Sequence, residues 1–471
     1  MNLHRTARGV LGTALAVSSL AAISIITPLA GTAASAATNC SASALPKTGK
    51  VNITFWEGMS AANETLIQKI VGQFNASQSK VHVTDVNQSG GYVQTWNDYL
   101  GSLGTSGEPN VVMLDQYITQ GAVDSKSIIP TATCVAGTGY STKPYLPKVI
   151  SEETVNGKLQ GLPYSVSSPI LIYNKNSFTK AKISTPPATV ALMATDAAKL
   201  KHAGLADGMT IKLDPWWLQV WQGTGGDYFV NNQNGRAGRA TAAAFNDSVG
   251  LSVFSQLQGI VKAGNAVTNA STGSNSVAYS NLYQIGFGKS GMTIDSSATL
   301  GTILSLLPKF PNVKLGVAAF PRITSSVTGG VEPGGNALFL PSYSDSSAAK
   351  LAASWEFEQY LTSALTMAQW DVGSGYVPIR TDAAKAPAMV AFWKKYPTLK
   401  IAYTEIVSGA TTNATVGPLL GDYYQVSNDI ANYENQLMIG PYNSNNTPSK
   451  ILSQASTSVT NDIKAYDASV K

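Results

Sequence analysis

The feature that most constrains this chain is an alternation of strand-like and helix-like segments that occurs twice along its length. In the first round, residues 51–56 and 81–86 are rich in β-branched and aromatic residues, which predicts strands, and the apolar run 111–114 suits a strand buried on both faces. Between them, residues 62–75 and 92–103 have the length and composition of helices, and in the first of these apolar residues recur at helical spacing. This order predicts an α/β domain with a mainly parallel sheet.

The second round follows after residue 165 and repeats the pattern without repeating the sequence. Its predicted strands are 170–174, 291–294, 314–319 and 336–340, and its predicted helices are 190–203, 240–263, 348–363, 428–438 and 448–468. A chain of 471 residues is long enough for two or three domains with large cores. We therefore expect an α/β protein with two domains.

The first 36 residues predict an export signal. Arg5 and Arg8 precede an apolar run over 10–26, and small residues then lead to an A-x-A site that ends at Ala36. Three serines interrupt the apolar run, which disfavours a membrane anchor, and no later stretch reaches the roughly 18 apolar residues of a spanning helix. We expect an exported protein, located outside the cytoplasm in the periplasm or at the cell surface and cleaved near Ala36.

Two cysteines, Cys40 and Cys134, remain after this segment. In an oxidising compartment an even pair predicts one disulfide. The alternative is a lipid on Cys40 as the mature N-terminus. The residues before Cys40 are Ala-Thr-Asn, which lack the small residue that lipoprotein signals place directly before the cysteine, so the disulfide is favoured.

Charge and motifs exclude several classes of function. The chain carries 32 Lys+Arg against 27 Asp+Glu, and only 13% of its residues are charged, so it lacks the concentrated basic face of a nucleic-acid binder. His82 and His202 are isolated, and the sequence contains none of the common metal-binding, phosphate-binding or nucleophile motifs. We expect no catalytic residue, no metal site and no cofactor, although paired carboxylates far apart in the chain stay possible.

A cluster of tryptophans points to carbohydrate. Trp216, Trp217 and Trp221 fall within six residues, and in a helix Trp217 and Trp221 share one face while Trp216 points elsewhere. Flat aromatic faces pack against the C–H patches of a pyranose ring. The alternative is that these tryptophans belong to the core. We take Trp217 as the leading candidate for stacking, with Trp221 completing the platform.

Six stretches in a fixed order resemble the extracellular solute-binding proteins of ABC importers, in the large family that binds sugars and glycerol-3-phosphate. The stretches cover nearly the whole chain after the signal: 55–57 (Phe-Trp-Glu), 167–178 with its Tyr-Asn-Lys, 287–293, 316–321, 334–338 and 373–378. The resemblance implies a two-lobe fold of the maltose-binding-protein type, with crossings near 164–168, 320–323 and 376–379. It also implies that the lobes close on a ligand by hinge bending, and that the protein delivers a small-molecule carbohydrate to the transmembrane subunits of a permease.

The resemblance also sets the expected boundaries and site. After the signal peptide, 37–165 plus 320–376 form one lobe and 166–319 plus 377–471 the other, in a protein expected to be a monomer. Ligand contacts carried over from glycerol-3-phosphate-binding members fall on Tyr92, Gln116, Ser167, Ser296, Gly335 and Tyr376. The matching stretches and their neighbours add three more candidates: Glu57, Asp115 and Ser168.

Two departures from the family pattern concern the ligand. The family's acid is an amide at Gln116, although Asp115 is adjacent, and the arginine expected near Gly417 and Gly421 is absent. A buried phosphate needs a cation or several N–H donors, so a neutral saccharide is favoured. A phosphorylated polyol is the alternative, followed by a secreted carbohydrate-active enzyme or an adhesin. The sugar, its linkage and length, and the permease stay open.

Overall fold

The protein is built on two β-sheets. The computed structural model describes residues 39–270, 279–325, 329–342 and 347–470. The export signal expected at 1–36 lies outside these residues. The strands are, in chain order, β1 (Val51–Glu57), β2 (Val81–Asn87), β3 (Val111–Asp115), β4 (Ile128–Ile129), β5 (Thr154–Val155), β6 (Lys158–Leu159), β7 (Leu162–Ser167), β8 (Pro169–Asn174), β9 (Asp207–Leu213), β10 (Ala266–Ala270), β11 (Ser290–Ser296), β12 (Leu315–Ala319) and β13 (Gly334–Pro341).

The helices cover both sheets and close the chain. They are α1 (Ala61–Ser77), α2 (Gly91–Ser102), α3 (Thr119–Asp124), α4 (Thr131–Thr138), α5 (Pro147–Glu152), α6 (Lys175–Lys180), α7 (Val190–His202), α8 (Trp216–Gly225), α9 (Asn231–Gly235), α10 (Ser248–Lys262), α11 (Ser280–Gly286), α12 (Leu300–Leu306), α13 (Ala348–Leu361), α14 (Ala364–Ser374), α15 (Pro387–Lys395), α16 (Ile401–Ser408), α17 (Tyr423–Ile439) and α18 (Pro448–Ser469). No helix within the described ranges is long and apolar enough to span a bilayer.

The first sheet has the strand order β2-β1-β3-β13-β4, with β7 also paired to β13. Its β1–β2 and β1–β3 pairs are parallel, as the alternating pattern predicts, whereas β13 is antiparallel to β3, β4 and β7. The expectation of a mainly parallel sheet is therefore wrong for this half, because β13 enters from the other part of the chain in the opposite direction. We call the body built on this sheet the first lobe.

The second sheet has the order β10-β9-β11-β8-β12 and forms the second lobe. Here β9 is parallel to β10 and β11, while β8 is antiparallel to β11 and β12. The chain passes from one sheet to the other between β7 and β8, where one residue, Ser168, separates the strands, and again between β12 and β13. The chain passes between the lobes a third time after α14, beside β7, where Val377 N–H donates to Val166 O.

The lobe boundaries expected from the sequence stay a prediction, and the contacts around the third passage bear on where they fall. Leu146 N–H donates to Ile379 O and Thr381 N–H donates to Pro144 O, both toward the first lobe, and α15 packs on α14. The terminal helices α17 and α18 pack on each other and on α10 of the second lobe. The chain thus moves fully to the second lobe only after α15.

A disulfide joins the two cysteines expected to pair. Cys40 and Cys134 are bonded with a Cα–Cα distance of 5.2 Å, across a sequence separation of 94 residues. Cys134 lies on α4 and both side chains are buried. The bond ties the N-terminal end of the described chain to the first lobe.

Candidate functional site

The candidate residues converge on one short segment, residues 332–336, where the chain enters β13. Two consecutive glycines let neighbours approach its backbone. A Cβ on Gly334 would lie 2.8 Å from the Trp216 ring, and a Cβ on Gly335, whose φ is +155°, would lie 1.8 Å from Ser165 O. Tyr92, Gln116, Ser167, Ser296 and Tyr376 bond this segment or a residue that bonds it, whereas Glu57, Ser168, Trp217 and Trp221 do not.

Two tyrosines expected to contact ligand form one hydrogen-bonded group. The hydroxyls of Tyr92 and Tyr376 lie 3.1 Å apart, and Asn336 Nδ2 donates to Tyr92 Oη at 2.8 Å. Burial raises the pKa of Tyr92 well above its ordinary value and that of Tyr376 to about 12. Both phenols therefore stay neutral at physiological pH and can donate or accept a hydrogen bond.

Two serines from different lobes form a second group. Ser296 Oγ, at the end of β11, donates to Ser167 Oγ at 2.8 Å, and Ser167 Oγ donates to Gly334 O at 3.1 Å. Ser168 has another role: it is fully buried, and its N–H donates to Ser297 Oγ at 3.0 Å while its carbonyl accepts from Ser297 N at 2.8 Å. The Ser168 backbone therefore joins the two lobes, and its expected contact with ligand stays a prediction.

The turn after β3 supplies a third group. Gln116 Nε2 donates to Pro333 O at 2.7 Å, and Tyr117 Oη donates to Glu332 Oε1 at 2.6 Å. Asp115 Oδ1 accepts from Tyr117 N at 3.1 Å, and burial raises the pKa of Asp115 to about 7. Asp115 and Gln116 thus lie side by side, and the choice between them as the family's acid stays a prediction.

Glu57 is satisfied away from this group. Its side chain is buried, Oε1 accepts from Asn87 Nδ2 at 2.7 Å, and Oε2 accepts from Met59 N at 2.5 Å. Oε1 therefore ties the end of β1 to the end of β2, and Oε2 bonds the turn that follows β1. The expectation that Glu57 contacts ligand stays a prediction, because each carboxylate oxygen can accept a second hydrogen bond.

The tryptophans divide differently from the expectation. Trp217 and Trp221 are 2% and 0% exposed, both rings pack on Phe320, and their indole N–H groups donate to Lys212 O and Pro321 O. Because both rings are buried and both indole N–H groups are hydrogen-bonded, Trp217 and Trp221 belong to the hydrophobic core. Trp216 lies against Gly334 at 8% exposure, and its indole N–H has no partner among the described residues. Helical spacing correctly separates Trp216 from the other pair, and which of the three rings contacts ligand stays a prediction.

Several residues at the site were missed from the sequence. Tyr117 stacks on Tyr423 with centroids 4.3 Å apart, and Gln219 Nε2 donates to Tyr423 Oη at 2.6 Å, which links the first lobe to α17 and α8. Glu332 and Asn336 flank the glycine pair. Their position on either side of Gly334 and Gly335 is the one signal that could have indicated them.

Two cations near the site, Lys212 and Arg236, are held by other groups of the protein. Lys212 Nζ lies 3.4 Å from Asp214 Oδ2 and 3.5 Å from Asp295 Oδ1. Burial lowers the pKa of Lys212, but the two carboxylates raise it by more, so the net shift of the pKa is upward. Arg236 donates to four backbone carbonyls, including those of Val416 and Gly417. The stretch where the family arginine was expected therefore binds a guanidinium from elsewhere in the chain, and Arg236 Nε has no hydrogen-bond partner among the described residues.

Behind the site lies a buried group of glutamates, Glu152, Glu153 and Glu332, with Lys148 beside them. Burial raises the pKa of both Glu153 and Glu332 to about 8, above the value of about 4.5 for an exposed glutamate. The folded chain therefore binds more protons than the unfolded chain between these values, and its stability falls as pH rises through that window. Lys148, whose pKa burial lowers to about 8, opposes this trend at the upper end of the window.

We expect the free energy of unfolding in urea to be about 1–2 kcal/mol higher at pH 6 than at pH 8. The substitution Glu332→Gln keeps an acceptor for Tyr117 but removes the titrating group, so it should reduce this difference. A variant with the native pH dependence would show that Glu332 does not contribute to it.

Comparisons with known proteins agree with this architecture. Residues 69–401 match the family model described as bacterial extracellular solute-binding protein. Among curated relatives, the sn-glycerol-3-phosphate-binding periplasmic protein UgpB of Brucella melitensis is 25% identical over 407 residues, covering 83% of this chain and 89% of that protein. The protein of the same description from Pectobacterium atrosepticum is 26% identical over 403 residues, covering 82% and 87%.

Solved structures share the fold at low identity. The GacH receptor of Streptomyces glaucescens, solved unliganded and with acarbose, aligns with a TM-score of 0.71 and 21% identity over 88% of this chain and 100% of that one. UgpB from Mycobacterium tuberculosis in complex with glycerophosphocholine aligns with a TM-score of 0.72 and 16% identity over 89% and 100%. The cyclic α-maltosyl-1,6-maltose binding protein from Arthrobacter globiformis aligns at 0.70 and 18% over 88% and 100%.

Proposed function

Because this chain belongs to the family of bacterial extracellular solute-binding proteins, we propose that the cluster around residues 332–336 binds a neutral carbohydrate between the lobes. The match to the family model confirms the family resemblance, and the similarity to solved sugar-binding proteins confirms the maltose-binding-protein type of fold. The protein is the solute-binding component of an ABC importer, acts outside the cytoplasm and delivers a small molecule to a membrane permease. The ligand class is our proposal.

The observation that carries the proposal is the charge balance around residues 332–336. Lys212 is held between two carboxylates, and Asp115, Asp214 and Glu332 are the nearby acids. A phosphate beside Lys212 would compete with Asp214 and Asp295 for that cation, and the guanidinium of Arg236 is already engaged by four backbone carbonyls, which makes the desolvation of a phosphate costly. A neutral sugar avoids that cost.

The remaining groups suit hydroxyl-rich ligands. Tyr92, Tyr376, Ser167, Ser296 and Asn336 offer neutral donors and acceptors on both sides of the crossing segments. Trp216 adds a flat ring with a free N–H, the combination of apolar face and directional polar group that sugar sites use. No cluster of His, Cys, Asp and Glu that could hold a metal is found in the described ranges.

A second candidate is a glycerol-3-phosphate or phosphodiester ligand, because the curated relatives carry that description. A secreted carbohydrate-active enzyme is the remaining alternative, and it would release product from the sugar over hours. We propose instead reversible binding without turnover, by a monomer cleaved near Ala36.

A thermal-shift screen of the mature chain separates these candidates. The panel contains maltose, maltotriose, D-tagatose, sn-glycerol-3-phosphate and glycerophosphocholine. A ligand at 100 times its dissociation constant adds about 2.7 kcal/mol of stability, which is readily seen. Stabilisation by a neutral sugar alone supports the proposal; stabilisation by a phosphorylated compound alone overturns it.

Alanine variants of the tryptophans test the site itself. We expect Trp216→Ala to weaken affinity for the stabilising sugar by about 2–3 kcal/mol, roughly 30- to 150-fold, because it removes the stacking face. Calorimetric titration measures this, with the melting temperature recorded for the same sample. The matched control is Trp221→Ala, which should lose stability while its folded fraction keeps native affinity. Native affinity in the Trp216 variant would place that ring in the core as well.

A further inference from the structure

The segment 231–239 has an unusual backbone that brings two arginines to the boundary between the lobes. Asn232, Gln233 and Asn234 adopt φ values of 53°, 56° and 59°, so three consecutive residues other than glycine lie in the left-handed region. Such a run is costly and persists only where surrounding contacts enforce it. Here the Asn234 side chain accepts from Phe229 N at 2.8 Å and Val230 N at 3.1 Å and donates to Asn413 O at 2.9 Å.

The first arginine, Arg236, is largely buried and bridges two regions. One side of its guanidinium donates to Ser151 O at 2.7 Å, on α5 of the first lobe, and the other donates to Val416 O at 2.6 Å. Burial lowers the pKa of Arg236, and the nearby glutamates Glu152 and Glu332 partly oppose that shift. This contact joins the segment before α17 to the first lobe.

The second arginine, Arg239, makes a bidentate ion pair across the same boundary. Its Nη1 and Nη2 donate to the two carboxylate oxygens of Asp124 at 3.0 Å and 2.8 Å, at the end of α3 in the first lobe. Its Nε donates to Asp467, and its guanidinium lies over the Tyr466 ring, both on α18. Bidentate arginine–carboxylate pairs of this kind are among the strongest charge-assisted hydrogen bonds in proteins.

We propose that residues 231–239 form a latch whose arginines hold the lobes together in the absence of ligand and thereby strengthen ligand capture. The proposal rests on the proposed binding between the lobes, but the latch itself is a property of the ligand-free chain. Opening the lobes breaks the Arg239–Asp124 pair and the Arg236–Ser151 bond, while the left-handed turn stays fixed within the second lobe. Since a ligand that binds the closed form is captured in proportion to the closed population, the latch sets the apparent affinity.

The test compares ligand-free solution scattering of the native chain with that of Arg239→Ala and Asp124→Ala. We expect a larger radius of gyration in both variants, and no further increase in the double variant, because each removes the same pair. Raising salt should expand the native chain toward the variants, since Arg239 is partly exposed. A radius of gyration equal to that of the native chain in both variants would overturn the latch.

Control variants separate the latch from a general loss of charge or fold. Arg380→Ala breaks a comparable bidentate pair, with Asp382 two residues away in the same segment, and should leave the ligand-free dimensions unchanged. Arg239→Lys keeps the charge without the fork and should fall between native and alanine. Far-ultraviolet circular dichroism establishes that each variant is folded.

Affinity for maltotriose gives a second readout, with a roughly tenfold loss expected in Arg239→Ala. If maltotriose does not bind the native chain, this arm tests the proposed ligand class, while the scattering still decides the latch. Native affinity together with native dimensions in Arg239→Ala would overturn the latch.

Discussion

Replacing Cys40 and Cys134 together by alanine is expected to lower the free energy of unfolding by about 4–5 kcal/mol. The disulfide closes a loop with a sequence separation of 94 residues, and its loss returns that loop's conformational freedom to the unfolded chain. Alanine introduces no polar group at two buried positions. Urea denaturation of the mature protein measures the change.

Reduction provides the independent comparison for this variant. The native protein unfolded in the presence of a strong reductant should reach the stability of the double variant, because both lack only the cross-link. A double variant within about 1 kcal/mol of the oxidised native protein, a typical effect of an ordinary point substitution, would show that the disulfide adds little.

The substitution Gly335→Ala should have a comparable effect, about 4 kcal/mol, through a different mechanism. Its Cβ would stand 1.8 Å from Ser165 O, a backbone atom in the adjacent strand β7 that cannot move aside as a side chain could. The φ of +155° adds strain for any residue with a Cβ. Relief requires β13 to separate from β7, so the hydrogen bonds of residues 332–336 to Gln116 and Ser167 should loosen as well.

The matched control is Gly72→Ala, in the interior of α1, where a Cβ would meet nothing within 4 Å. It should be neutral or stabilising, since alanine is the better helix former. Chemical denaturation of both variants measures the difference. Equal stability of the two variants would mean that β13 can shift without cost.

The sequence predicts those elements whose pattern is local. The apolar spacing of Ile67, Ile70, Val71 and Phe74 predicts α1, and these four residues are its buried face. The short apolar run before Asp115 is β3, buried along Val111–Leu114. For such segments, burial and periodicity carry the same information.

The elements that the pattern failed to predict depend on distant partners. Strand β9 reads Asp-Gly-Met-Thr-Ile-Lys-Leu, a mixed run that becomes a strand because it lies between β10 and β11. Helix α15 buries one residue, Met389, against α14, so its own sequence carries little signal. The antiparallel direction of β13 follows from the path of the chain between lobes, which no local window contains.

Only part of the site was predictable, because some of its residues belong to recognisable motifs and others depend on distant partners. Residues carried over by motif, such as Tyr92, Tyr376, Ser167 and Ser296, fall close together because the family's segment order fixes the crossings. Side-chain direction is different: the choice between Trp216 and Trp217 depends on the position of Phe320, about 100 residues away. Likewise, the pairing of Lys212 with Asp295 spans 83 residues, and its effect on ligand charge could not be inferred from composition.

The place of β13 has a consequence for how the molecule is made. Strand β13 lies between β3 and β4 in the first sheet, and the hydrogen-bonded residues Gln116 and Pro333 are 217 positions apart. A chain that emerges N-terminus first therefore holds β3 with an unpaired edge until nearly three quarters of it has appeared. Contacts this remote in sequence slow folding, so the sheet of the first lobe is begun first and completed last, after every strand of the second sheet is available.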